Sequence, residues 1–233
     1  MASQTHSDWS SIQNQFFNAT KDSFKKFNVL STDHLSKIKN GMTNYPICTT
    51  LYNRYEPLHT AFTKAVNEWQ NANNFYQGAT SKVDLIQDDL VKQIGMWDVK
   101  VMNVYYLDTP EYITLFPNGR APFQSGGREQ RIAAVETLAV ALSNYPALAN
   151  VQQIVAAFAA DYKNKRDEQQ QLEQSIPVQS KAVADAHAAA CDMMNRNLGL
   201  LIDAFGTDYI ITSFFELDIV RNINQGGTVD NAV

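Results

Sequence analysis

The protein has 233 residues, a length between one large domain and two small ones. Its formal net charge is −5 and no run of basic residues occurs, which argues against binding to nucleic acid through phosphate contacts. Glycine and proline are scarce, with ten and seven residues, so an all-β or loop-rich fold is unfavoured. Only 18% of the residues are charged, and abundant Asn and Gln replace them, which is compatible with packing against other subunits.

The first residues lack a basic region followed by an apolar run, so we expect no signal peptide. A cytoplasmic protein, or a component of a particle made inside the cell, fits this expectation. The longest apolar region, residues 198–220, is interrupted by four acidic residues. Cys48 and Cys191 are predicted to be buried and reduced, although a single disulfide between them stays open.

Apolar side chains recur at intervals of three and four residues along most of the chain, which predicts amphipathic helices. An aromatic stripe predicts a first helix over residues 8–28. Ser31 is suited to cap a short second helix that ends at Gly41. A long helix is then expected to begin at Pro46, since proline at a first helical turn loses no hydrogen bond.

Within that long helix Pro57 predicts a kink, and Gly78 is expected to end it. The next helix is predicted from Thr80 or Ser81 to about residue 104, antiparallel to the one before. A short helix over residues 110–116 and a central loop over residues 117–127 follow.

The second half is predicted to repeat this plan. A helix is expected over residues 128–142, and Pro146 begins a second long helix. Pro177 marks either a kink in that helix or, as we favour, a tight turn that ends it. A last long helix reaches Phe205, and residues 222–233 are expected to form a frayed tail.

An offset of one hundred residues aligns the two halves of the sequence. Asn44-Tyr45-Pro46 recurs as Asn144-Tyr145-Pro146, Asp108 meets Asp208, and Gly126-Gly127 meets Gly226-Gly227. The sequence therefore predicts an all-α fold, an elongated antiparallel helical bundle with two pseudo-symmetric long helical hairpins and an extra N-terminal helix. In one integrated domain, residues 1–30 form the extra helix, residues 31–130 the first hairpin repeat and residues 131–233 the second.

One Glu-x-x-His spacing occurs, at Glu56 and His59, and this spacing provides metal ligands in ferritin-like bundles. Such a site needs a second copy of the motif, but the corresponding positions hold Ala156 and Ala159. We therefore predict no metal site. His187 and Cys191 lie one helical turn apart and could meet, but no third group completes a thiol catalyst. No catalytic residue and no cofactor is predicted.

The central loop carries the strongest candidate for a binding site. Arg120, Phe123, Gly126, Gly127 and Arg128 lie before or at the start of a predicted helix, where backbone N–H groups and arginines can hold an anion or contact a partner. The loop lacks the glycine and lysine spacing of nucleotide-binding motifs, and a simple connection between two halves also explains its glycines.

Aromatic residues gather at corresponding ends of the two predicted halves, where they either complete the core or form an apolar docking surface. These residues are Trp97, Tyr105, Tyr106, Tyr112, Phe116 and Phe123 in the first half, with Phe205, Tyr209, Phe214 and Phe215 in the second.

Together these features favour a non-enzymatic structural or interaction protein, a helical component of a larger assembly with a protein partner or with itself. A membrane-active, pore-forming-like protein is the first alternative, supported by residues 198–220 and the aromatic first helix. A ferritin-like metal-binding bundle is the second.

Overall fold

A computed structural model of the protein describes Phe16 and residues 21–206 and 209–216. Within these residues all regular elements are helical, so the predicted all-α helical bundle is confirmed. The α-helices are α1 (Lys21–Gly41), α2 (Pro46–Met102), α3 (Pro110–Leu115), α4 (Ala121–Gln124), α5 (Arg128–Leu142) and α6 (Ala149–Phe205). Short 3₁₀ turns cover Pro146–Leu148 and Tyr209–Phe214.

The described residues form two compact units, each with its own apolar core. The first unit contains the described residues up to Asn71 and from Pro177 onward, and the second unit contains Ala72–Ile176. The boundary therefore lies inside α2 and inside α6. Contacts between α2 and α6 occur in the bundle.

A seven-residue spacing of large side chains runs along the whole of α2, and most of these side chains are fully buried. Such a spacing keeps one seam of a helix facing its neighbours over many turns. The residues are Tyr55, Phe62, Trp69, Tyr76, Val83, Leu90 and Trp97. In α6 the same spacing is followed by Tyr162, Gln169, Ile176, Val183, Ala190 and Asn197.

The predicted turns at Gly78 and Pro177 are wrong, because α2 and α6 each continue through them for 57 residues. The apolar spacing passes both positions without a break, so burial of the seam outweighs the local cost of each residue. That cost is about 1 kcal/mol for glycine and about 3 kcal/mol for proline in a helix interior. Ser81 does not cap a helix; its hydroxyl donates to the carbonyl of Gln77 within α2.

The predicted helix boundary at Ser31 is also wrong, because α1 is continuous from Lys21 to Gly41. Ser31 is completely buried and bonds with side chains of α2 instead of capping a helix. The parts of the predicted first helix over residues 8–15 and 17–20 lie outside the described residues, as do the predicted tail at residues 222–233 and the repeat matches at Asp208 and Gly226-Gly227.

The order of elements is consistent with the proposed repeat. In each half a helix, of 21 residues in the first half and 15 in the second, precedes a helix of 57 residues. A six-residue helical segment follows the long helix in both halves. The twofold relation between the halves and the boundaries at residues 30 and 130 stay predictions. The two compact units divide the chain differently, since the first unit joins residues from both of its ends.

Replacing Gly78 with alanine is expected to stabilise the protein by about 0.5–1 kcal/mol, because alanine restricts the unfolded chain and favours helix. A Cβ atom at Gly78 meets no other atom within 4 Å. Chemical denaturation of Gly78→Ala and the wild type measures the difference. The control is Gly41→Ala, where a Cβ atom would lie 2.8 Å from Cys48 Sγ, so the same substitution should destabilise. A loss of stability in Gly78→Ala would contradict the prediction.

Candidate functional site

In the second unit, Arg120 from the central loop is bonded to a buried carboxylate. Its Nε donates to Asp98 Oδ2 over 2.6 Å, and Tyr112 Oη donates to Asp98 Oδ1 over 2.8 Å. Asp98 is only 5% exposed, whereas Arg120 remains partly exposed. These two hydrogen bonds hold the central loop and α3 against α2.

A helix cap and a tyrosine that stays protonated support the segment around this ion pair. Thr109 Oγ1 accepts a hydrogen bond from the Tyr112 backbone N–H, which caps α3. Burial raises the pKa of Tyr112 to about 12, and the hydrogen bond to Asp98 acts in the same direction. Tyr112 therefore remains a protonated donor to Asp98 across the physiological range.

The predicted partner residue Phe123 is buried in the core of the second unit. Its ring lies 6.2 Å from that of Phe116. Phe123 also lines an apolar pocket of about 170 Å³ between the central loop and α5. Other residues that line it are Leu115, Pro122, Ala134, Thr137 and Leu138.

At the start of α5, hydrogen bonds within the protein involve the groups that were predicted to bind an anion. The Gly127 N–H donates to Gln130 Oε1 over 2.9 Å, and Arg128 donates to Asp84 over 2.6 Å. Arg131 donates to the carbonyl of Gly126, whose φ of 91° requires glycine. This geometry explains the glycine as part of a turn, and anion binding stays a prediction.

A polar network in the second unit was not predicted from the sequence. The Gln169 side chain is 1% exposed and sits on the buried seam of α6. It donates to Thr80 Oγ1 on α2 and accepts from Arg166, which also donates to Glu129 on α5. A satisfied polar group in an apolar seam helps to fix the register of packed helices.

A second buried polar group lies in the first unit, where His34 holds the segment after α6. Its Nδ1 donates to the Phe214 carbonyl over 2.9 Å, and Asn197 Nδ2 donates to its Nε2 over 3.1 Å. The imidazole also stacks on Phe215 with ring centroids 4.5 Å apart. Burial lowers the pKa of His34 to about 4, so the ring is neutral at pH 7.

The histidine of the Glu-x-x-His spacing is bonded to α1 through a hydroxyl. Ser31 Oγ lies 2.7 Å from His59 Nδ1 and 2.7 Å from Tyr55 Oη, forming a short hydrogen-bonded chain. Glu56 accepts a hydrogen bond from Thr60 in the next turn of α2. Among the described residues, no group of three or more His, Cys, Asp or Glu side chains could hold a metal ion.

His187 and Cys191 do meet in the structure, with Sγ 3.4 Å from Nε2. Burial lowers the pKa of His187 to about 4 and raises the pKa of the Cys191 thiol. The pair is therefore a neutral imidazole beside a protonated thiol at pH 7, which is the opposite of an activated thiolate. Both Cys48 and Cys191 are buried and free, as predicted.

Comparisons with protein families, with the curated proteins and with the solved structures gave no match to this chain. No relative therefore assigns a role to the residues above. None of the described helices combines the length and the apolar character needed to cross a lipid bilayer.

Most of the aromatic side chains predicted to gather at the ends of the halves belong to the two cores, but a few apolar side chains remain outside. In the second unit, Tyr106 is 82% exposed, Leu107 57% and Ile113 53%, and Val104 is exposed nearby. We call the exposed side chains of Val104, Tyr106, Leu107 and Ile113 the 104–113 surface. An isolated exposed apolar residue is ordinary, but several in one short connection are typical of an interaction site.

Proposed function

We propose that the protein is a non-enzymatic structural or interaction protein, a helical component of a larger assembly that acts through protein–protein contacts. The observation that carries this proposal is the 104–113 surface, where Tyr106, Leu107 and Ile113 expose apolar side chains close together in the sequence. Exposed apolar area of this kind gains free energy when a partner covers it.

The setting of this surface supports contact with a protein. It follows directly on α2, and α3 is held by the hydrogen bond of Tyr112 to Asp98. A surface on an ordered support loses little conformational entropy when a partner binds. Exposed aromatic side chains such as Tyr106 are the residues that most often contribute strongly to protein interfaces.

Site-specific photocrosslinking in the native cell tests the proposal. A benzoylphenylalanine in place of Tyr106 is expected to give a discrete crosslinked protein, identified by mass spectrometry. The control places the same residue at Tyr209, which is equally exposed but belongs to the first unit. An absence of adducts from position 106, or the same diffuse products from both positions, would count against the proposal.

A further inference from the structure

The outward face of α2 in the second unit carries a short pattern of apolar and charged residues. Leu85, Asp89, Lys92 and Met96 follow at intervals of four, three and four residues. At 3.6 residues per turn these positions fall within a sector of roughly 60° on the helix. Leu85 is 69% exposed and Met96 50%, and the next position of the same face, Val99, is also exposed.

This face points away from the core of the second unit. The buried positions of the same helix segment, including Leu90, Ile94 and Trp97, lie on the opposite side of the helix. The outward face is therefore accessible along several turns. Exposed apolar residues alone do not indicate which molecule binds to this face. The order of the charged residues along the face does.

The order apolar, acidic, basic, apolar is complementary to itself in the antiparallel direction. When a second copy lies antiparallel, Leu85 faces Met96 of the second copy and Asp89 faces Lys92 of the second copy. The twofold axis repeats both contacts, so two ion pairs lie between two apolar pairs. A parallel arrangement in register would instead place Asp89 against Asp89 and Lys92 against Lys92, which is repulsive.

The same antiparallel register extends to other exposed apolar groups. In this register the last turn of α2 in one copy lies opposite residues 79–82 of the other, so the loop after Met102, which carries exposed Tyr106, begins close to exposed Phe75. Phe75 and Gly78 line a groove of about 380 Å³ on the second unit. The absence of a side chain at Gly78 leaves room there for a neighbouring chain.

We propose that a second copy of the chain binds this face, forming a twofold antiparallel dimer through residues 75–106 of α2 and its following loop. This inference rests on the proposed function and names the partner of the contact. Two helices in contact over about 25 residues span roughly 38 Å. Such an interface lies at the low end of the ~1,200–2,000 Å² found in stable complexes, so a micromolar dimer is expected.

Charge exchange tests the register. Asp89→Lys and Lys92→Asp are each expected to weaken the dimer at least about tenfold in sedimentation equilibrium, because each places like charges in contact twice. The double variant D89K/K92D restores opposite charges and is expected to recover most of the affinity. The matched control is Lys181→Asp on α6, which removes an exposed ion pair with Asp185 and should leave the dimer unchanged.

A second pair of variants tests the apolar contact. Leu85→Ser is expected to weaken the dimer about tenfold, while Val178→Ser, which changes a similarly exposed residue of α6, has no effect. Circular dichroism confirms that each variant remains helical.

Two outcomes would overturn the inference: a wild-type chain that is monomeric up to about 1 mM, or single charge variants that dimerise as well as the wild type. A crosslink from position 106 to a different protein, together with a monomeric chain, would remove the dimer and leave the proposed function standing. An absence of crosslinks together with a monomeric chain would remove both.

Discussion

Lowering the pH from 7 to 5 is expected to reduce the unfolding free energy of the first unit by about 4 kcal/mol, or about 2 kcal/mol for each of two buried histidines. Burial lowers the pKa of both His34 and His187 to about 4. In the unfolded chain the ordinary value is near 6.5. Between these values the unfolded state binds more protons than the folded state, so the stability is complete above the unfolded pKa and is lost as the pH falls.

Urea denaturation at a series of pH values measures this effect. The dependence is expected to reach about 2.4 kcal/mol per pH unit near pH 5, close to the slope for two protons. His187→Phe should reduce that slope by half, because phenylalanine does not titrate. The ring of His187 already packs against Phe24, Phe27 and Phe62, so an aromatic replacement suits the site.

A variant of a less buried histidine serves as the control for the effect of burial. Burial also lowers the pKa of His59, but this side chain is only half-buried. His59→Gln is therefore expected to change the slope less than His187→Phe. Equal stability of the wild type at pH 7 and pH 5 would show that the two buried histidines do not control the unfolding of the first unit.

Arg120→Ala is expected to destabilise the second unit by about 2–3 kcal/mol, because it leaves a buried carboxylate without its cation. Asp98 would keep the hydrogen bond from Tyr112. The segment over residues 117–124, which includes α4, and α3 should also become less ordered. Denaturation measures the free energy, and hydrogen exchange of the amides in α3 measures the local loss of order.

The chain offers a closely matched control in Arg128→Ala. Arg128 donates to Asp84 at the same 2.6 Å distance that joins Arg120 to Asp98, but the Asp84 side chain is 55% exposed. Exposed ion pairs contribute about 0–1 kcal/mol, so this variant should change stability little. Equal losses in the two variants would mean that burial of Asp98 does not set the strength of the pair.

The helical fold could be predicted from the sequence because apolar spacing is a local property of each helix. The same property also explains the errors at Gly78 and Pro177. Glycine and proline are typical of helix ends, but the seven-residue spacing continues past both of them. Burial of a continuous seam is a tertiary effect, and it outweighs a local cost of one or a few kcal/mol.

The polar groups in the cores could be predicted only in part. The sequence indicated Arg120 as a candidate for an anion or partner contact, but not its bond to Asp98, because either charge alone is equally suited to solvent. His34 and Asn197 are 163 residues apart, and no local pattern links them. One signal was present: Gln169 and Asn197 are polar residues at the seven-residue spacing of buried positions in α6.

The division of α2 and α6 between two units has a consequence for the order of folding during synthesis. The second unit, Ala72–Ile176, is an uninterrupted stretch of chain. All of its residues are synthesised before those of the last helical turns of α6. The first unit cannot fold until its C-terminal part is synthesised, because its hydrogen bonds join His34 to Asn197 and to Phe214, 163 and 180 residues later. Closing such long loops is slow, so the inner segment should form first and bring the two ends of the chain together.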